Sequence, residues 1–258
     1  QGGLAQGKGF ILSLGDNLTI NNIECRNVSS RDGNGACVRL EGANLALNNV
    51  YFHRSQTGVL ETSKKAGVIN IKYSRFERLG YNGQAHGVYS NKADVYVEHS
   101  LFVATKSQGH AIKVRGQRLS IQSSIFASLS ADDSRLIDMP NGGQLSIENS
   151  ILAQGPNSVN GQLIGYGLEE VTKGTNDVKL TDNIIYLERL GEDYLIALPE
   201  QNSFVHLTQK SNVIIGDDRS SYRDLANTYF SNRDELGVPH FPLLPKSFCE
   251  QEEHCYIK

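Results

Sequence analysis

Apolar and polar residues alternate over short stretches of this chain, and the stretches repeat. The segments LSIQSSIF (119–126) and LSIENSIL (145–152) are nearly the same text, with earlier copies at LTINNIEC (18–25), LALNNVYF (45–52), INIKYSRF (69–76) and VYVEHSLF (95–102). VKLTDNII (178–185) follows, and a degenerate copy begins at VHLTQKSN (205–212). Period-two alternation is the mark of a half-buried strand, and repetition at a spacing of 24 to 33 residues is the mark of a solenoid. Each copy carries Asn or Ser at one fixed place (Asn22, Asn49, Ser74, Ser100, Ser124, Ser150, Asn183), which predicts a polar ladder at the bends between strands. Each ends on an apolar or aromatic residue (Cys25, Phe52, Phe76, Phe102, Phe126, Leu152), which predicts a buried stack along the axis.

A second strand precedes each copy: FILSLG (10–15), ACVRLEG (36–42), GVLETS (58–63), HGVYSN (86–91), HAIKVRG (110–116), RLIDMP (135–140), QLIGYG (162–167) and YLIALP (194–199). Their alignment turns Leu12, Val38, Leu60, Val88, Ile112, Ile137, Ile164 and Ile196 inward. These strands are too short and too evenly spaced for helices, and helical periodicity is confined to Ser220–Asn227. The predicted fold is all-β: a single-stranded, right-handed parallel β-helix of about eight coils over residues 1–216, the hand following the general preference of parallel crossovers. Residues 217–258 lack the repeat and are expected to form a tail capping the last coil.

The runs DGNGACVRLEG (32–42), QAHGVYSNKADVYVEHSLF (84–102), GHAIKVRGQRLSI (109–121) and DMPNGGQLSIENSILAQGPNSVNGQLIGYGLEE (138–170) resemble a group of bacterial right-handed β-helix proteins, often exported. Their fold is shared with pectin-lyase-like polysaccharide lyases and hydrolases. The resemblance covers roughly residues 8–190 and implies a β-helix and a polysaccharide substrate. The fold by itself hosts lyases, hydrolases, epimerases and inert tail proteins, so the chemistry must come from the residues.

Composition narrows the classes. With 25 Lys plus Arg against 28 Asp plus Glu, the net charge of −3 gives no chain-wide attraction for nucleic acid, and no apolar run is long enough to span a bilayer. The start at Gln1 rather than Met fits removal of a signal peptide or other upstream segment. Of the four cysteines, Cys249 and Cys255 close a short loop and are expected to form a disulfide, whereas Cys25 stands in an otherwise aromatic column and reads as a small buried hydrophobe. A disulfide favours a secreted or periplasmic protein. No metal-ligand spacing appears, so no cofactor is expected, and the pattern carries no information on oligomeric state.

The outward residues of the first strand, read from coil to coil, are Ser13, Arg39, Glu61, Tyr89, Lys113, Asp138, Gly165 and Ala197, about 4.8 Å apart. The five central members all carry functional groups. Arg115 lies two positions along the same face, and His86, His110 and Arg135 stand at the turn entering the strand. A β-eliminating lyase needs a cation to neutralise a uronate carboxylate and a base to remove the proton beside it. Here Arg115 and Arg135 would grip the carboxylate, Lys113 or Tyr89 would take the proton, and His110 or His86 would protonate the leaving oxygen. Tyr89, His110, Lys113 and Arg115 are thus the catalytic candidates, with Arg39, Glu61, His86, Arg135 and Asp138 as substrate contacts. An inverting glycoside hydrolase is the alternative, since Glu41 and Glu61 would stand about 8 Å apart, as is a solenoid that binds polysaccharide without cleaving it.

Overall fold

The computed structural model describes residues 4–237 of the 258-residue chain. The alternation produces a parallel β-solenoid of about eight turns, built of three parallel sheets. Each turn contributes one strand to each sheet. In the fifth turn these are Ile112–Val114, Arg118–Gln122 and Ile125–Ala127. Every repeat copy therefore holds two strands, of the second and third sheets, separated by a two-residue bend. The strand preceding each copy forms the first sheet.

Two columns, not one, run through that bend. Asn22, Asn49, Tyr73, His99, Ser123, Asn149, Asp182 and Ser211 all take left-handed backbone conformations, with φ between 48 and 57°. Asn and Asp tolerate this region best, which explains their share of the column. From the second turn onward the next residue points inward. Ser74 Oγ accepts from Val50 N–H, Ser100 Oγ from Ser74 N–H, Ser124 Oγ from Ser100 N–H and Ser150 Oγ from Ser124 N–H, each at 3.1 Å. Asn183 and Asn212 continue the ladder. Each turn's side chain thus satisfies a buried backbone donor that the sheet ladders leave over. The expected Asn/Ser column merges these two: Asn22 and Asn49 belong to the left-handed position, where Asn49 donates to Asn22 at 2.7 Å, and Ser74 to Asn183 belong to the inner ladder.

The aromatic stack forms as the spacing predicts. Cys25, Phe52, Phe76, Phe102, Phe126 and Leu152 lie in register in the third sheet and are buried. Phe76, Phe102 and Phe126 stack face to face at 4.5 Å between ring centres.

Four expectations need correction. Cys25 is bonded to Cys37, joining the third sheet of the first turn to the first sheet of the second, across the core; Cys249 and Cys255 lie outside the described residues. Residues 220–227 form turns, and a single helical turn lies at Arg233–Leu236. The last repeat copy starts two residues later than expected, because Val178 pairs with Leu207. In the first sheet Ile11 and Val59, not Leu12 and Leu60, line up with Val38. Beyond residue 216, Thr228–Phe230 adds one more parallel strand to the third sheet. Among the described residues no helix is long and apolar enough to cross a membrane.

The disulfide closes a loop of sequence separation 12 at the first turn. Replacing both cysteines with Ala is expected to lower unfolding free energy by about 2 to 4 kcal/mol in chemical denaturation. Unchanged stability in the double variant would show that the bond contributes nothing to holding the first turn.

Candidate carboxylate-binding site on the first sheet

Strand pairing sets the outward column of the first sheet as Leu12, Arg39, Leu60, Tyr89, Lys113, Asp138, Gly165 and Ala197. Ser13 and Glu61 fall in the inward column with Leu40, one residue out of the expected register. A one-residue slip moves a side chain to the opposite face. Glu61 is fully buried, and its carboxylate accepts from the backbone N–H groups of Ser63, Asn91, Lys92 and Ala93 and from Ser90 Oγ. It pins the bend after strand Val88–Ser90 and makes no outward contact. The pair of carboxylates that an inverting hydrolase required of Glu41 and Glu61 is therefore not formed. Arg39 pairs with Glu41 at 3.4 Å. Leu60 separates it from Tyr89 by two turns, about 10 Å along the ladder, so it stands apart from the cluster.

Seven of the expected residues do converge: His86, Tyr89, His110, Lys113, Arg115, Arg135 and Asp138. Lys113 Nζ lies 3.0 Å from Asp138 Oδ2, and Arg135 lies 3.9 Å from Asp138 Oδ1. Asp138 is only 3% exposed, so it serves as counter-ion to its neighbours and is closed to a sugar. The next residue in the column is Gly165, and a Cβ there would come within 2.8 Å of Asp138 Oδ1 and 2.9 Å of Arg135 Cδ. Only Gly lets these side chains lie across the seventh turn at that place.

His86 and His110 stack with ring centres 5.0 Å apart, both buried. His110 N–H donates to His86 Nδ1 at 3.1 Å, and Arg135 N–H donates to His110 Nδ1 at 3.3 Å, which leaves the proton of each neutral ring on Nε2. Burial, reinforced by the nearby cations, pushes His86 well below the usual imidazole range and His110 down to about 3. Both rings are neutral at neutral pH and closed to solvent. They tie successive turns together and are not placed to protonate a leaving group, which corrects the role expected of them.

Tyr89, Lys113 and Arg115 meet at the open side of the cluster, and a residue that sequence reasoning missed completes it. Glu169 leans back from the turn 167–176 over two coils and accepts from Arg115 Nη2 at 2.9 Å and Lys113 Nζ at 2.9 Å, with Arg115 Nη1 2.7 Å from its second oxygen. Arg115 Nε donates to the Tyr89 phenol oxygen at 3.1 Å, and Arg115 Nη1 donates to Asn141 Oδ1 at 2.8 Å. One guanidinium thus grips a carboxylate with two nitrogens while its remaining donor orients a phenol. The Arg115 hydrogen bonds, with Lys113 adding to them and burial opposing them in part, hold the Glu169 carboxyl at about 2. Counting Lys113, Arg115 and Arg135 against Asp138 and Glu169, cations exceed carboxylates by one.

The repeat did hold a signal for this turn. Consecutive copies at 145 and 178 are spaced more widely than those before them, and the surplus lies between strands Gln162–Tyr166 and Asp177–Thr181. Backbone bonds from Glu169 and Glu170 to Pro140 O, and from Thr172 to Asn141 O, lay the turn back along the preceding one.

No family model, curated protein or solved structure matches this chain. What it has in common with the pectin-lyase-like group is the parallel β-helix itself.

Proposed function

We propose that this β-helix protein binds an acidic, uronate-containing polysaccharide on the outer face of its first sheet and cleaves it by β-elimination. The observation that carries this reading is the cradle of Arg115 and Lys113, with Asn141 Oδ1 accepting from Arg115, which holds a carboxylate, that of Glu169, in the two-nitrogen grip a uronate carboxylate requires. Glu169 stands in for the sugar's carboxyl group. A carboxylate in this cradle sits beside Arg115 and Lys113, both of which stabilise the enolate-like charge that grows on it when the adjacent C5 proton leaves.

Tyr89 is the acid–base group of this reading. Its oxygen, which accepts from Arg115 Nε, takes the C5 proton after giving up its own to solvent. The electron pair released forms the C4–C5 double bond, the C4–O bond breaks, and the leaving oxygen takes the proton back from the phenol. Lys113, held between two carboxylates, acts as a fixed positive charge, and one of them, Asp138, lies in turn against His110 and Arg135. The buried disulfide between Cys25 and Cys37 supports a secreted or periplasmic setting.

The test is a panel of uronate polymers, with ultraviolet absorbance followed for the unsaturated sugar and reducing ends measured in parallel. Elimination predicts both signals rising together on a polymer with free carboxylates. New reducing ends without absorbance would mean hydrolysis, and neither signal on any polymer would leave a protein that does not cleave.

A further inference from the structure

The cradle is filled by the chain's own carboxylate, and this has a consequence for any acidic ligand. Glu169 occupies the donors of Arg115 and Lys113 that an incoming carboxylate would need. We propose that Glu169 is a displaceable internal ligand: an acidic polysaccharide enters the site by exchanging its carboxylate for that of Glu169, and only a ligand with a free carboxylate can make the exchange. The idea rests on the proposed reading of this face as a carboxylate-binding site.

Three features support exchange over a permanent contact. The backbone of the turn is anchored independently of the Glu169 side chain, by Gly167 N–H to Met139 O, Glu169 N–H to Pro140 O and Thr172 N–H to Asn141 O. The side chain can therefore swing away with the turn in place. Its side chain is half exposed, at 49%, whereas the Lys113 and Arg115 side chains beneath it are 12% and 24% exposed, so Glu169 is the partner on the solvent side. Finally, exchange of one carboxylate for another preserves the local charge. A neutral or methyl-esterified sugar that displaced Glu169 would leave two largely desolvated cations without that anion, a costly arrangement.

Acid cannot open this site under ordinary conditions, because the same cations hold the Glu169 carboxyl at about 2. Entry therefore depends on a competing carboxylate. The exchange also weakens net affinity, since every acidic ligand must first break the contacts that Glu169 makes.

The experiment is calorimetric titration of wild type, Glu169→Gln and Glu170→Gln with short oligomers of galacturonate, glucuronate, mannuronate and guluronate, and with the methyl ester of the oligomer that binds best. Melting curves establish that each variant is folded. Exchange predicts that Glu169→Gln binds an acidic oligomer about tenfold or more tighter than wild type, the worth of one charge-assisted contact no longer competed for. Glu170→Gln should match wild type, and the ester should gain nothing from Glu169→Gln. Equal or weaker binding of every acidic oligomer by folded Glu169→Gln would overturn the proposal, as would an equal gain for the ester. Absence of binding by all three proteins would overturn it together with the carboxylate-site reading. Tighter binding by Glu169→Gln without any unsaturated product from wild type would support exchange and sink only the elimination chemistry.

Discussion

Arg115→Ala lowers the rate of uronate cleavage at least about a hundredfold, the scale of one charge-stabilising group, while the melting temperature stays within a few degrees of wild type. Arg115 is the hub of the cradle: it grips the carboxylate with two nitrogens, orients the Tyr89 oxygen and contacts Asn141. Arg115→Lys keeps the charge but has one nitrogen where three are in use, so it is expected to be nearly as impaired. The readout is initial rate of absorbance increase on the best polymer, at saturating and subsaturating substrate. Retained activity in both variants would remove Arg115 from the site and leave the fold as described.

Glu61→Ala has its large effect on stability. The carboxylate is fully buried and is the acceptor for four backbone N–H groups, those of Ser63, Asn91, Lys92 and Ala93. Its removal leaves those donors in the interior without that partner, and a loss of about 3 to 5 kcal/mol is expected from a broken buried charge network of this kind. Thermal unfolding should begin about 10 °C or more below wild type. Below that temperature, cleavage per folded molecule should be unchanged, because Glu61 faces away from the carboxylate cradle. A stable but inactive Glu61→Ala protein would contradict its assignment to the interior.

Glu61 also shows what the sequence could and could not reveal. The strands GFILS and TGVLE each place two apolar residues side by side (Ile11 and Leu12, Val59 and Leu60), so alternation does not say which one faces the core. Taking Leu12 and Leu60 as the inward residues shifts the register by one at these two turns and turns Glu61 outward, whereas pairing puts Ile11 and Val59 in line with Val38. In strands with unambiguous alternation, such as VYS and IKV, the outward positions of Tyr89 and Lys113 were legible, as was Arg115 one step beyond. The phenylalanine column was legible for the same reason.

What escaped the sequence depends on contacts between columns. Cys25 and Cys37 belong to different sheets whose inward faces meet across the core, and aligning residues within one sheet cannot pair them. His86 and His110 were legible as neighbours, but their burial and their acceptance of backbone N–H groups through Nδ1 come from the surrounding turns. Glu169 lies in a turn whose extra length the repeat spacing exposed, yet nothing in its local text says that the turn folds back over two coils to reach Arg115.

The most direct measurement of the central claim is a crystal structure of Glu169→Gln with a uronate trisaccharide bound. The account predicts a sugar carboxylate gripped by two nitrogens of Arg115 and by Lys113 Nζ, at about 2.7 to 3.0 Å, with C5 facing the Tyr89 oxygen. A trisaccharide seated on another face of the solenoid, with the cradle left without a carboxylate, would contradict it.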